Sequence, residues 1–262
     1  MANFSKYGKH LLKKIKNLCE GVNDHPSEAN IHAFRVEVKK LKALIHLLSW
    51  YFPEMDKKKT KKLWKLFSIS GAVREWQILS GEIRVLPLPE EITGEILHVT
   101  HHEENKACRN FKSNYRKSMP ESLEELNKYL EDFFVRASQI NTDSYFRHIT
   151  ETIPVNWKEK NYSAELYHDL RKNIKELKYN LKILEEDEKR PFDLLHNPEF
   201  LNKAEASLGN WHDTIVAANQ LQALAAKEEL SPGAKAALTR LKKAKERQAD
   251  SALLKFKHDF NQ

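Results

Sequence analysis

The sequence predicts an all-α protein in two halves of about four helices each, over residues 1–138 and 139–262. Three observations predict it. Residues 32–48, HAFRVEVKKLKALIHLL, align without a gap on residues 168–184, HDLRKNIKELKYNLKIL, at an offset of 136. Internal repetition on this scale implies a repeated structural unit. Apolar residues recur at helical spacing, and no segment alternates with period two for long. Leu, Lys, Glu and Ala are abundant while Gly (7) and Pro (9) are few, which favours helix.

Residues 4–20 read as a short basic amphipathic helix. Pro26 and Ser27 open the next, which carries the first repeated segment and ends before Pro53. Asp56 is the N-cap expected for a helix over 57–81. Pro87 and Pro89 interrupt the chain. A helix is expected from Glu90 to Arg116, and Pro120 is expected to start another over 121–138, because proline suits a first turn and not a helix interior. The second half runs in parallel. A short helix over 142–151 is stopped by Pro154, and a helix over 162–186 carries the second repeated segment. Pro191 and Pro198 bracket a loop before a helix over 199–226. A turn at Ser231-Pro232-Gly233 precedes a last helix over 234–260.

The repeated segments carry charge on one face. With His32 at zero and about 100° per residue, Arg35, Lys39, Lys42 and His46 fall within a stripe roughly 80° wide. Phe34, Val38, Leu41, Ile45 and Leu48 cluster on the other side. In the second copy His168, Arg171, Lys175, Lys178 and Lys182 take the basic positions. Leu170, Ile174, Leu177, Leu181 and Leu184 take the apolar ones. A solvated face is the ordinary reading of one such stripe. Solvated faces mix signs, however, because like charges a turn apart repel. Neither stripe contains an acid, since Glu37 and Glu176 fall off them. A one-sign stripe occurring twice points to an anionic ligand.

A second repeated patch supports the division. SISGAVREWQIL at 68–79 matches ASLGNWHDTIVA at 206–217, placing Gly71 on Gly209, Arg74 on His212 and Glu75 on Asp213. A glycine inside a helix costs about 1 kcal/mol. It implies either a close helix crossing, with the polar pair ordering a neighbouring side chain, or a functional cation–acid pair.

HxxRVxxKKLKALI, then SGAVREW, then HDLRKNIKELKYNL, then LGNWHD resembles the CHAD family, the conserved histidine α-helical domain, over nearly the whole chain. The resemblance implies two four-helix bundles related by an internal pseudo-twofold repeat, with a basic groove between the halves. It implies inorganic polyphosphate as the ligand. The positions carried over are His32, Arg35, Lys39 and Lys42 in the first half, His168, Arg171, Lys175 and Lys178 in the second, and Arg74 after the small-residue crossing. His46 and Lys182 extend the two stripes. Secondary cations are Lys58, Lys61, Lys62 and Lys65, Arg109 and Arg116, His212, and Lys242. For these, plain solubilising surface is the equal alternative.

The remaining features exclude more than they assign. Net charge is +7, so the distribution of cations matters more than their excess. The two cysteines, Cys19 and Cys108, lack metal spacing and fit a reducing compartment. The N-terminal segment has no apolar core of a signal peptide, and no run of about 18 apolar residues occurs. The expectation is a cytoplasmic protein with no membrane segment, associated with polyphosphate granules if that polymer is its ligand. No cofactor, metal site or catalytic group is expected. His32 and His168 have no carboxylate or second histidine one turn away on their own face, and the adjacent His101 and His102 point about 100° apart. Non-catalytic binding of polyphosphate, or another polyanion, is therefore the leading reading. An RNA-binding protein is the alternative, against which stands the lack of aromatics within the stripes. A phosphate-processing or metal-binding enzyme is the third class.

Overall fold

The computed structural model describes residues 3–151, 163–184 and 198–259. Among them every regular element is helical: α1 (Phe4–Asp24), α2 (Glu28–Tyr51), a 3-10 turn (Lys57–Thr60), α3 (Lys61–Arg84), α4 (Glu90–Ala137), α5 (Asp143–Glu151), α6 (Ala164–Leu184), α7 (Pro198–Ala225) and α8 (Pro232–Asp259). The expected stop at Pro154 and the loop after Pro191 lie outside the described residues.

Short polar side chains set the helix starts. Asn3 accepts from Lys6 N and Ser27 from Asn30 N, each satisfying an amide that has no partner within its helix. Asp56 accepts from Lys58 N as expected, but it caps the 3-10 turn, and α3 begins only at Lys61. Ser231 Oγ accepts from Ala234 N, so the Ser-Pro-Gly turn is itself the start of α8, with Pro232 in the first turn.

The largest departure from the sequence reading is α4. Instead of two helices divided at Pro120, one helix runs through 48 residues with the proline inside it. An interior proline costs about 3 kcal/mol. The buried face nevertheless continues across it through Phe111, Tyr115, Met119, Leu123, Leu126, Leu130 and Phe134. Burying large apolar side chains is worth about 1.5–3 kcal/mol each, so a face of this length outweighs the break.

The chain packs into two compact units, and neither is continuous in sequence. One comprises residues 3–72, 107–151 and 175–184; the other comprises 73–106, 163–174 and 198–259. In the first, Ile15, Ile31, Phe34, Leu41, Leu44, Phe111, Phe134 and Phe146 are fully buried. A Cβ on Gly8 would fall 2.5 Å from the Phe134 ring, so only glycine lets α1 approach α4 this closely. The second unit is built on Leu79, Ile83, Ile96, Val99, Leu221, Leu224 and Leu238. Its other end is aromatic, with Tyr167 edge-on to both Trp211 (6.0 Å) and Phe256 (5.9 Å).

Candidate functional site

On α2 the amphipathic division is clean. Phe34, Val38, Leu41, Ile45 and Leu48 are buried, while His32, Lys42 and His46 are exposed and Arg35 and Lys39 half-buried. Glu37 lies off the stripe and receives hydrogen bonds from Lys14 and Lys40, both at 2.8 Å. Burial pushes its carboxyl up, but the two lysines outweigh that and hold it below the usual carboxylate range.

Arg35 is built in. Its Nη1 donates to Phe67 O at 2.8 Å and to Ser70 Oγ at 3.1 Å, and the guanidinium sits 4.5 Å above the Phe67 ring. A Cβ on Gly71 would stand 3.0 Å from that nitrogen. The first glycine of the repeated patch therefore makes room for the arginine of the stripe, and Arg35 ties α2 to α3.

His46 also has a partner that its own helix did not reveal. Its Nδ1 lies 2.9 Å from Glu176 Oε2 on α6. Tyr145 OH donates to Glu176 Oε1 at 2.7 Å, and Asn180 Nδ2 donates to Tyr145 OH at 2.8 Å and to Ala43 O at 3.1 Å. Burial and the neighbouring carboxylate push the Tyr145 hydroxyl far up, which keeps it a donor. Glu176 is off the stripe of α6, and only the packing of α2 against α6 brings it to His46.

The second stripe has the same division. Leu170, Ile174 and Leu177 are buried and Leu181 is half-buried; the Leu184 side chain lies outside the described residues. His168, Arg171, Lys175 and Lys178 are half-buried and Lys182 is exposed. The patch on α7 comes to it in a different way from its counterpart on α3. Nothing lies within 4 Å of a Cβ on Gly209. The two residues after Trp211 engage the stripe instead. The His212 ring sits 4.7 Å from that of His168, and Asp213 Oδ1 lies 3.5 Å from Arg171 Nη2. Arg171 is only 13% exposed and Asp213 is 75% exposed. The Nε of Arg171 is buried without a hydrogen-bond partner among the described residues. Burial lowers the His168 pKa below the ordinary imidazole value, and Lys172 and Arg171 lower it further against an opposing pull from Asp169.

The secondary cations divide into three situations. Lys58, Lys61, Lys62 and Lys65 are exposed on the 3-10 turn and the start of α3. Lys242 is matched by Glu246 at 3.2 Å. Arg109 and Arg116 lie on α4, where with Lys112, Ser113 and Lys117 they line an open cavity of about 650 Å³. Arg74 is half-buried on α3. A further cavity of about 640 Å³, absent from the sequence reading, is lined by Trp50, Asn141, Asp143, Ser144, Arg147, His148 and Glu151. Trp50 stacks on His148 there at 4.3 Å. Among the described residues no three His, Cys, Asp or Glu side chains gather to hold a metal, and no helix is long and apolar enough to cross a membrane.

The family model of the CHAD domain matches residues 6–222. No curated protein matches the chain. The crystal structure of the CHAD domain from the plant Ricinus communis superposes with a TM-score of 0.75 at 16% identity, covering 95% of this chain and 88% of that one. PptA from Streptomyces chartreusis superposes with a TM-score of 0.69 at 12% identity, covering 99% and 98%. At these identities the structural likeness speaks for the fold, while the family model spans most of the sequence. On that match, the chain belongs to the CHAD domain family.

Proposed function

We propose that the protein binds inorganic polyphosphate through the cationic stripes of α2 and α6 and leaves the polymer intact. The observation that carries this reading is the pair of stripes itself. Two helices present His, Arg and Lys at matching positions and bury the opposite face, with no acid on either stripe. Polyphosphate carries charge on every phosphate and has no bases, so a row of cations suffices to hold it. The CHAD match is consistent with that ligand. Glu176 lies against His46 and Asp213 against Arg171, each beside a cation or imidazole of the stripes.

One observation favours RNA as the second reading: Trp50, 46% exposed and stacked on His148, offers a ring at the end of α2 on which a base would stack. The deciding experiment compares long polyphosphate with single-stranded RNA at matched charge and salt, then assays free phosphate and chain length with and without divalent metals. Preference for polyphosphate with intact chains is expected. Tighter RNA binding that falls in Trp50→Ala would install the second reading. Turnover lost in His32→Gln or His168→Gln would make the protein an enzyme.

Binding should also be linked to pH. His168 in the free protein titrates below the ordinary imidazole value. A bound polyanion stabilises the imidazolium and raises that pKa, so binding takes up a proton. Affinity therefore rises as pH falls through the bound-state value and levels off below the free-state value. A titration series from about pH 8 to about pH 5.5 spans the usual imidazole range. His168→Gln is expected to flatten the slope; an unchanged slope would assign the proton elsewhere.

A further inference from the structure

The unit that carries α2 has a second cationic face, on α4. Among the described residues Arg109, Lys112, Ser113, Arg116 and Lys117 line the open cavity of about 650 Å³. Four of the five are cations and none is an acid. Arg109, Arg116 and Lys117 are exposed and Lys112 is half-buried. Among the described residues none of these four forms an ion pair. Some lysines elsewhere in the same unit do: Lys9 with Glu131, Lys14 with Glu37, Lys16 with Glu124. Lys112 stands three residues after Arg109 and four before Arg116, so the cations repel one another along the helix. The helix thus keeps a face of mutually repelling cations without an ion pair among the described residues.

That face does not continue the stripe of α2. Phe34, about 120° round α2 from the middle of its stripe, meets Phe111 of α4 edge-on at 5.9 Å. From Phe111 the five lining residues lie between about 100° and 240° round α4, on the side turned away from α2. Arg109 to Arg116 spans about 10 Å of helix, room for several consecutive phosphates. Among the described residues no aromatic side chain lines the cavity to stack a base, and no apolar one to enter a lipid layer. Ser113 adds a neutral hydroxyl among the charges, a donor suited to a phosphate oxygen.

We infer that the α4 face is a second polyphosphate-binding surface, independent of the stripes, which makes each protein bivalent. The inference rests on the polyphosphate reading above for its ligand. A short chain occupies either surface. A long chain engages surfaces on successive protein copies and links them, gaining avidity that a short chain lacks.

Calorimetry with short-chain polyphosphate, and light scattering with long chains, test it on three proteins. These are the natural chain, an α4 variant (Arg109→Ala, Lys112→Ala, Arg116→Ala, Lys117→Ala) and a stripe variant (Lys42→Ala, Lys175→Ala, Lys182→Ala). All the substituted side chains are exposed or half-buried, and Arg116→Glu alone serves as a second probe if the fourfold variant melts early. The expected result is two short chains bound per natural protein and one per variant of either kind, with long chains causing scattering only in the natural protein. Arg116→Glu is expected to weaken the α4 site about tenfold or more. One chain per natural protein, unchanged in the α4 variant and lost in the stripe variant, overturns the inference and leaves the stripe reading standing. One chain, lost in the α4 variant and kept in the stripe variant, does the reverse. No binding by the natural protein overturns both, and an α4 variant that loses RNA affinity with polyphosphate affinity intact overturns the inference.

Discussion

Polyphosphate affinity should fall roughly 10²–10³-fold between about 50 and 200 mM salt. The estimate follows from the stripes. Besides Arg35, which is bonded to α3, the stripes carry six lysines and arginines: Lys39, Lys42, Arg171, Lys175, Lys178 and Lys182. Each contact with a phosphate returns a condensed counterion to solution. For single-stranded polyanions the slope of log affinity against log salt is about −0.7 per contact, hence about −4 for these six. Magnesium should weaken the complex further by competing for the same phosphates. The measurement is a set of titrations at several salt concentrations. A slope near zero would mean that hydrogen bonds or packing hold the ligand, and the stripes would lose their part in binding.

Removing three of those cations should weaken binding by about 10²–10⁴-fold without unfolding the protein. Lys42→Ala, Lys175→Ala and Lys182→Ala each take away a charge-assisted contact worth about 1.5–3 kcal/mol, with partial non-additivity along one ligand. All three side chains stand on the polar faces of α2 and α6, clear of the buried apolar faces. The salt slope should drop by about 2 in the same variant, since three contacts no longer release counterions. That second reading separates lost contacts from lost fold. Arg35→Ala would not make the same test, because it also breaks the bonds to Phe67 O and Ser70 that join α2 to α3. Equal losses on removing three exposed lysines elsewhere, such as Lys6, Lys13 and Lys128, would show that net charge alone governs binding.

Sequence by itself determined that α2 and α6 are amphipathic helices, which apolar side each turns inward, and which cations lie off that side. Those properties follow from a period of 3.6 residues acting over a few turns, and they hold wherever the helix packs. The Asp56 cap, the Ser27 cap and the helix starts near Glu90 and Pro232 are equally local, since a short polar side chain and the amides beside it are all they need. Tertiary structure decided the rest. Pro120 read as a break because its missing amide and its ring are local facts. The apolar face that carries α4 through it gains its energy from α1 and α2, distant in the chain. Gly71 and Gly209 are indistinguishable in the repeat, yet the first admits the Arg35 guanidinium and the second meets nothing within 4 Å. Glu176 lies off its own stripe and still reaches His46, and Asp213 reaches Arg171. Arg109 and Arg116 look in sequence like more of the same cationic surface, whereas the Phe34–Phe111 contact turns their side of α4 away from α2. A helical period fixes direction around one axis. Which side chains meet depends on how the axes are placed against one another, and burial summed over the whole core sets that.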